Sequence, residues 1–321
     1  MTFCSASSAK NTTVSLLLGA CCTLLLAAPS CLAWDSRLLQ HPVLVDGLGI
    51  AQPVMAVFRL PGGRLHLQSV GGLTLVEHGP ELSISKTEQG LILQLPDRSG
   101  WYPVIVRNNR SLQEFRLNAY AMVPITELDK RGYLGGFRVG VYPPVRNPEL
   151  TLDDPPEGFI ELTEATRDIR VSPNFTLAQF ACKQAGGYPK YIVLRPELML
   201  KLERLLRAVN EAGHVADTLH VMSGYRTPFY NRAIGNSPYS RHLWGGAADI
   251  FVDAQPEDGV MDDLNGDGAL NKHDALWLAE LIENLSSAGN SSQHGGLGSY
   301  GSNAAHGPFV HVDVRGYRAR W

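Results

Sequence analysis

The chain has 321 residues, 44% of them apolar, and 28 Lys and Arg face 31 Asp and Glu for a formal net charge of −3. That length admits two domains with cores of their own. A slightly acidic chain without a long basic run is not built to neutralise phosphates, so nucleic acid is excluded as the expected partner.

The first stretch does not read as part of a fold. Lys10 precedes an apolar run from Val14 to Ala28, and Cys31-Leu32-Ala33 puts small residues at both cleavage positions. A secretory signal peptide over residues 1–33 is expected. The run is short for a span of about 20 residues, so no stable membrane span is expected after cleavage. A lipobox-like Leu18-Gly19-Ala20-Cys21 offers lipid tethering as the alternative. Cys4, Cys21, Cys22 and Cys31 all lie in this segment. Only Cys182 would remain after cleavage, which leaves no intrachain disulfide.

Residues 34–126 alternate short apolar runs with turns. Val54–Leu60, Arg64–Gln68, Leu82–Ser85, Leu91–Leu95, Trp101–Val106 and Glu114–Leu117 read as strands, spaced as in a small β-sandwich. His66 and His78 stand alone there and read as surface histidines. Residues 127–170 read as a linker with a glycine-rich hairpin at Gly132–Gly140, bounded by Pro143-Pro144 and Asp153-Asp154-Pro155-Pro156. A second domain is expected over 171–321. Thr176 with Gln179 resembles a capping box. Leu198, Leu202, Leu205 and Val209 recur at helical spacing between Pro196 and Gly213. Helices followed by several strands give an α+β class for this part.

The chemistry concentrates in Ser240-Arg241-His242-Leu243-Trp244-Gly245-Gly246-Ala247-Ala248-Asp249-Ile250. An imidazole and a carboxylate, with small residues between, form a donor pair that suits zinc. The third donor is sought in Phe309-Val310-His311-Val312-Asp313-Val314-Arg315. Alternate residues of a strand share a face, so the valines face one way and His311, Asp313 and Arg315 the other. Asp263, Asn265, Asp267, Ala269, Asn271 and Asp274 occupy the ligand positions of a twelve-residue EF-hand loop with Gly268 at the sharp turn, and a helix is expected after it. Asp274 replaces the usual closing Glu, as in dockerin-like loops. One structural calcium is the expectation. Ser286–Gly307 reads as a long Gly-, Ser- and Asn-rich loop bordering the third-donor strand.

Three pieces in order carry a resemblance: Ser223-Gly224-Tyr225-Arg226 with Asn231, the spaced Ser240, His242, Gly245, Ala247 and Asp249, and His311-Val312-Asp313. Together they resemble the zinc D-alanyl-D-alanine carboxypeptidases and murein endopeptidases of bacterial cell walls, whose fold is shared with lysostaphin-type enzymes and the Hedgehog signalling domain. The resemblance covers about Val171 to Trp321. It implies His242, Asp249 and His311 as ligands of one catalytic zinc, with a fourth position open. It implies peptidoglycan as partner and a periplasmic or cell-wall location. Arg226 is placed by it to stabilise an oxyanion or hold a substrate carboxylate. Pro308 and Phe309 stand where relatives carry a proton acceptor. Asp313 is therefore the expected general base, with His306 as second choice; the other reading of Asp313 is a carboxylate that orients His311. The expected activity is cleavage of stem peptides or cross-links, endopeptidase before carboxypeptidase. The alternative is an inactive zinc-containing wall-binding module.

Overall fold

The computed structural model describes residues 33–146, 153–287 and 295–321. Residues 1–32 of the expected signal segment and the part of the late loop holding His294 lie outside them. Among the described residues no helix is long and apolar enough to cross a membrane. These residues pack as one compact unit, and their buried apolar side chains form one connected cluster from Leu39 to Val312. The architecture is mixed α+β, with many strands and few helices.

The N-terminal part holds two sheets. One orders Leu48–Ile50, Val43–Val45, Arg64–Gln68, Gly90–Gln94 and Ser83–Thr87, all antiparallel. The period-two burial of Arg64–Gln68 and Gly90–Gln94 sends Leu65, Leu67, Leu91 and Leu93 into the core. The other orders Val54–Arg59, Glu114–Ala121, Gly100–Asn108 and Leu73–His78. Its first pair is parallel, and Val54–Arg59 buries four consecutive side chains, as a strand covered on both faces does. In the hairpin, Tyr133–Leu134 pairs with Phe137–Arg138. Gly135 and Gly136 turn it with φ of +53° and +85°, the backbone that a two-residue turn demands.

Helix α1 (Pro196–Glu211) starts on its proline and buries Leu198, Leu202, Leu205 and Val209, the stripe expected from spacing. Helix α2 (Pro228–Ala233) is capped by Thr227, whose hydroxyl accepts from the Tyr230 amide. Helix α3 (Lys272–Ser287) follows the acidic loop. The Thr176–Gln179 box is real, with the Thr176 amide donating to Gln179 at 2.8 Å, but it opens only a 3-10 turn, Leu177–Phe180. Cys182 is buried and free.

The site is built on a third sheet, ordered His220–Ser223, Ala247–Phe251, Phe309–Asp313, Gly296–Tyr300 and Ala319–Arg320. All pairs are antiparallel except the last. Every residue of Ala247–Phe251 and of Phe309–Asp313 is buried.

Polar ties join the N-terminal part to this region. Asn118 donates to the Arg170 carbonyl at 2.8 Å, and the Trp34 amide donates to Asp217 at 2.9 Å. Glu203 on α1 is almost fully buried. Its carboxylate accepts from the Ser172 hydroxyl at 2.6 Å, the Asn174 amide at 2.8 Å and the Asn174 side chain at 2.7 Å. Removing the carboxylate leaves the buried Ser172 hydroxyl and the half-buried Asn174 amide without this acceptor. Glu203→Ala is therefore expected to lower stability by about 3 kcal/mol, read as a fall in the urea midpoint; an unshifted midpoint would refute the account.

Candidate metal centre

The sheet register assembles the cluster. Asp249 lies directly opposite His311, and Ser223 is opposite Asp249 on the other side. Side chains directly opposite on antiparallel strands have Cβ atoms about 5 Å apart, so two of the expected ligands meet by strand pairing alone. The third arrives from a 3-10 turn, Arg241–Trp244. Gly245 ends that turn at φ +62°, and any Cβ there would run into the Val193 carbonyl. The turn can pack this closely only because the residue is glycine.

His242 Nε2 lies 3.2 Å from His311 Nδ1 and 3.2 Å from Asp249 Oδ1, and His311 Nδ1 lies 2.8 Å from the same Asp249 oxygen. All three residues are buried. Tetrahedral donors bonded at 2.0–2.1 Å stand about 3.3 Å apart, so the spacing fits zinc. The far nitrogens point to the same conclusion. His242 Nδ1 donates to the Gly224 carbonyl at 2.6 Å, which leaves Nε2 as the bare lone pair. His311 Nε2 faces Asp313 Oδ2 at 3.3 Å, which leaves Nδ1 for the cluster. A carboxylate or carbonyl behind each ligand histidine fixes its tautomer and raises its basicity.

The surroundings set the charge state of each donor. Burial pushes the His242 imidazole down, against the attraction of Asp249, and keeps it in the neutral form a metal requires. Burial opposes protonation of His311 too, but Asp249 and Asp313 on its two nitrogens outweigh it and raise it. Burial would lift Asp249, yet the charge and hydrogen bonds of His242 and His311 hold its carboxyl well below the usual range. Asp249 Oδ2 is taken by Arg226, whose Nε also donates to Ser223 Oγ at 2.8 Å.

Three further residues singled out in the sequence lie around or outside the cluster. Asp313 is fully buried and sits behind His311. It accepts from the Gly296 amide at 2.7 Å and from Arg315 Nε at 2.9 Å, and it is held below its ordinary range despite burial. Enclosed in this way, Asp313 fits the other reading of it, a carboxylate that orients His311. His306 lies outside the cluster, with Nδ1 on the Gly307 carbonyl at 2.8 Å and Nε2 on Asn303 at 2.7 Å. Arg226 donates through Nη2 to Asp249 and through Nε to Ser223.

The acidic loop lies apart. Asp263 accepts from the amides of Gly266, Asp267 and Gly268, at 2.9, 3.2 and 2.8 Å. Asp274 is fully buried and its oxygens accept from Leu264 and Asn271 amides at 2.9 and 2.8 Å. Asn265 bonds Asp267, and Asn271 donates to the Ala269 carbonyl. Among the described residues only His242, Asp249 and His311 gather their ligand atoms within 4.8 Å; the Asp263, Asp267 and Asp274 carboxylates do not.

Several contributors carried no signal in the sequence. Lys201 on α1 donates to the Asp313 carbonyl at 2.9 Å, and burial pulls its ammonium down to about 8. Trp321 lies against His311, with ring centroids 5.3 Å apart. Nothing in their local sequence marks either one.

A buried His-Asp-His cluster backed by hydrogen-bonded partners is a candidate metal site whose donor set suits zinc. The Peptidase M15 family model matches residues 173–265. The match contains His242 and Asp249, while His311 lies beyond it. No curated protein matches the chain.

Two substitutions test this construction. Asp313→Ala is expected to weaken zinc binding about 10- to 100-fold in competition with a chelator while keeping all three ligands. Gly245→Ala is expected to cost about 3 kcal/mol and to lower the melting temperature. A tolerated Ala at 245 would mean that the turn has room the structure does not show.

Proposed function

We propose that the protein is an exported zinc metallopeptidase that hydrolyses peptide bonds in peptidoglycan stem peptides or cross-links. The observation that carries this is the convergence of His242 Nε2, Asp249 Oδ1 and His311 Nδ1 within a chain that matches the M15 family. Zinc, when bound, supplies Lewis-acid polarisation of the scissile carbonyl and acidifies water. The chain's residues set its surroundings. Gly224 and Asp313 hold the two imidazoles in their ligand tautomers. Arg226 neutralises the second oxygen of Asp249, so that carboxylate offers one oxygen to the cluster.

Endopeptidase action is the preferred form. A carboxypeptidase must hold the free carboxylate of its substrate, and the arginine that the family resemblance assigns to that task already donates through Nη2 to Asp249 and through Nε to Ser223. The His311-Val312-Asp313 sequence points the same way by resemblance. The two N-terminal sheets are proposed to pack as a β-sandwich-like module that spaces or binds wall, and the exported chain to act in the periplasm or at the wall. An inactive wall-binding module is the second reading, favoured by the enclosure of Asp313 and the separate engagement of His306.

Digestion of purified peptidoglycan separates them. The expected outcome is loss of cross-linked muropeptides with about one zinc per chain, and no loss with His242→Ala. Bound zinc with no new product would select the module.

The calcium assignment for Asp263–Asp274 rests on the loop's sequence pattern. Calcium is expected to raise the melting temperature of the wild type and not of Asp267→Ala; equal melting of both proteins with and without calcium would remove it.

A further inference from the structure

The row across the site sheet runs Ser223, Asp249, His311, Gly298, and its last member has no side chain. Trp321 fills that place: a Cβ on Gly298 would stand 2.5 Å from the indole nitrogen. The indole is fixed on several sides. Its Nε1 donates to the Tyr300 hydroxyl, and its backbone amide bonds the Leu297 carbonyl at 3.3 Å. Arg315 lies 5.1 Å from its ring centroid. Tyr300 is itself stacked on Phe309 at 4.6 Å and 7°. Yet Trp321 remains 52% exposed. An indole whose one polar atom is satisfied internally, immobilised beside a ligand histidine and still half open, presents apolar π surface to whatever reaches the metal.

We propose that Trp321, braced by Tyr300, is a subsite that stacks on a pyranose ring of the glycan strand and so sets which stem peptide enters the metal centre. This rests on the peptidoglycan peptidase reading. The occupant follows from what that polymer offers. A basic stem residue would bring an ammonium to a ring already faced by the Arg315 guanidinium. An alanine methyl covers little of an indole. A pyranose presents a face of weakly positive C–H bonds, matched in size and sign to the negative π face. The polymer's rings are neutral amide sugars at that face, and so add no charge conflict.

The test has a binding arm and a kinetic arm. An N-acetylglucosamine oligosaccharide, which has no peptide bond in a stem to cut, is titrated calorimetrically into the wild type, Trp321→Phe and Trp321→Ala, each checked for zinc content and circular dichroism. Binding to the wild type is expected, weaker by about tenfold in Trp321→Ala and nearly retained in Trp321→Phe. In the kinetic arm, kcat/KM is compared for a stem peptide with and without its attached disaccharide, and the ratio is expected to fall about tenfold in Trp321→Ala. No oligosaccharide binding to the wild type, equal binding to the wild type and Trp321→Ala, or an unchanged ratio would overturn the proposal. Trp321-dependent oligosaccharide binding by a protein that cuts neither substrate would uphold the subsite and sink the peptidase reading alone.

Discussion

The pairing of Asp249 with His311 across two neighbouring strands is the constraint on which the site depends. A slip of one residue would turn every side chain of the strand to the other face, removing a ligand from the cluster and a valine from the core together. Val310 and Val312 are fully buried on the opposite side, so the apolar core enforces the register that the metal ligands need. The hydrophobic effect thus fixes the donor geometry, and no ligand has to pay for its own placement.

The buried charges are arranged in matched pairs. Asp249 meets Arg226, and Asp313 meets Arg315. An unpaired carboxylate at such depth would be costly or would neutralise itself. With both anions already balanced by guanidiniums, an added divalent ion leaves the centre electron-poor. That suits polarisation of a carbonyl. The same arrangement explains why neither carboxylate is spare for proton transfer.

Much of this was legible in the residues. His242 and Asp249 stood out through a seven-residue interval filled with small side chains, and alternation marked the face of Phe309–Asp313. Helix α1 followed from its leucines and its flanking Pro196 and Gly213. What could not be read was anything set by pairing between distant segments. Alternation placed Asp313 on the face of His311, but whether it lay before or behind that ring depended on Gly296 and Arg315 closing over it. The parallel pairing of Val54–Arg59 with Glu114–Ala121 joins segments some sixty positions apart in the chain and leaves no local mark. Leu73–His78 escaped notice because only its first residue is buried. The contact of Arg226 with Asp249 is a matter of side-chain reach, which spacing does not encode.

The order of the site sheet also governs how the protein breathes. Ala247–Phe251 and Phe309–Asp313 each have a strand on both sides, whereas Ala319–Arg320 is a two-residue edge. Each amide of the inner strands points to one flanking strand or the other, so neither strand has an unpaired edge at which opening could begin, and such central strands belong to the more slowly opening part of a fold. Two ligands of the metal therefore reside in more persistent segments of the chain. The edge strand is adjacent to Trp321 and can fray by itself, letting the rim of the site loosen and re-form while the ligand constellation beneath it stays intact.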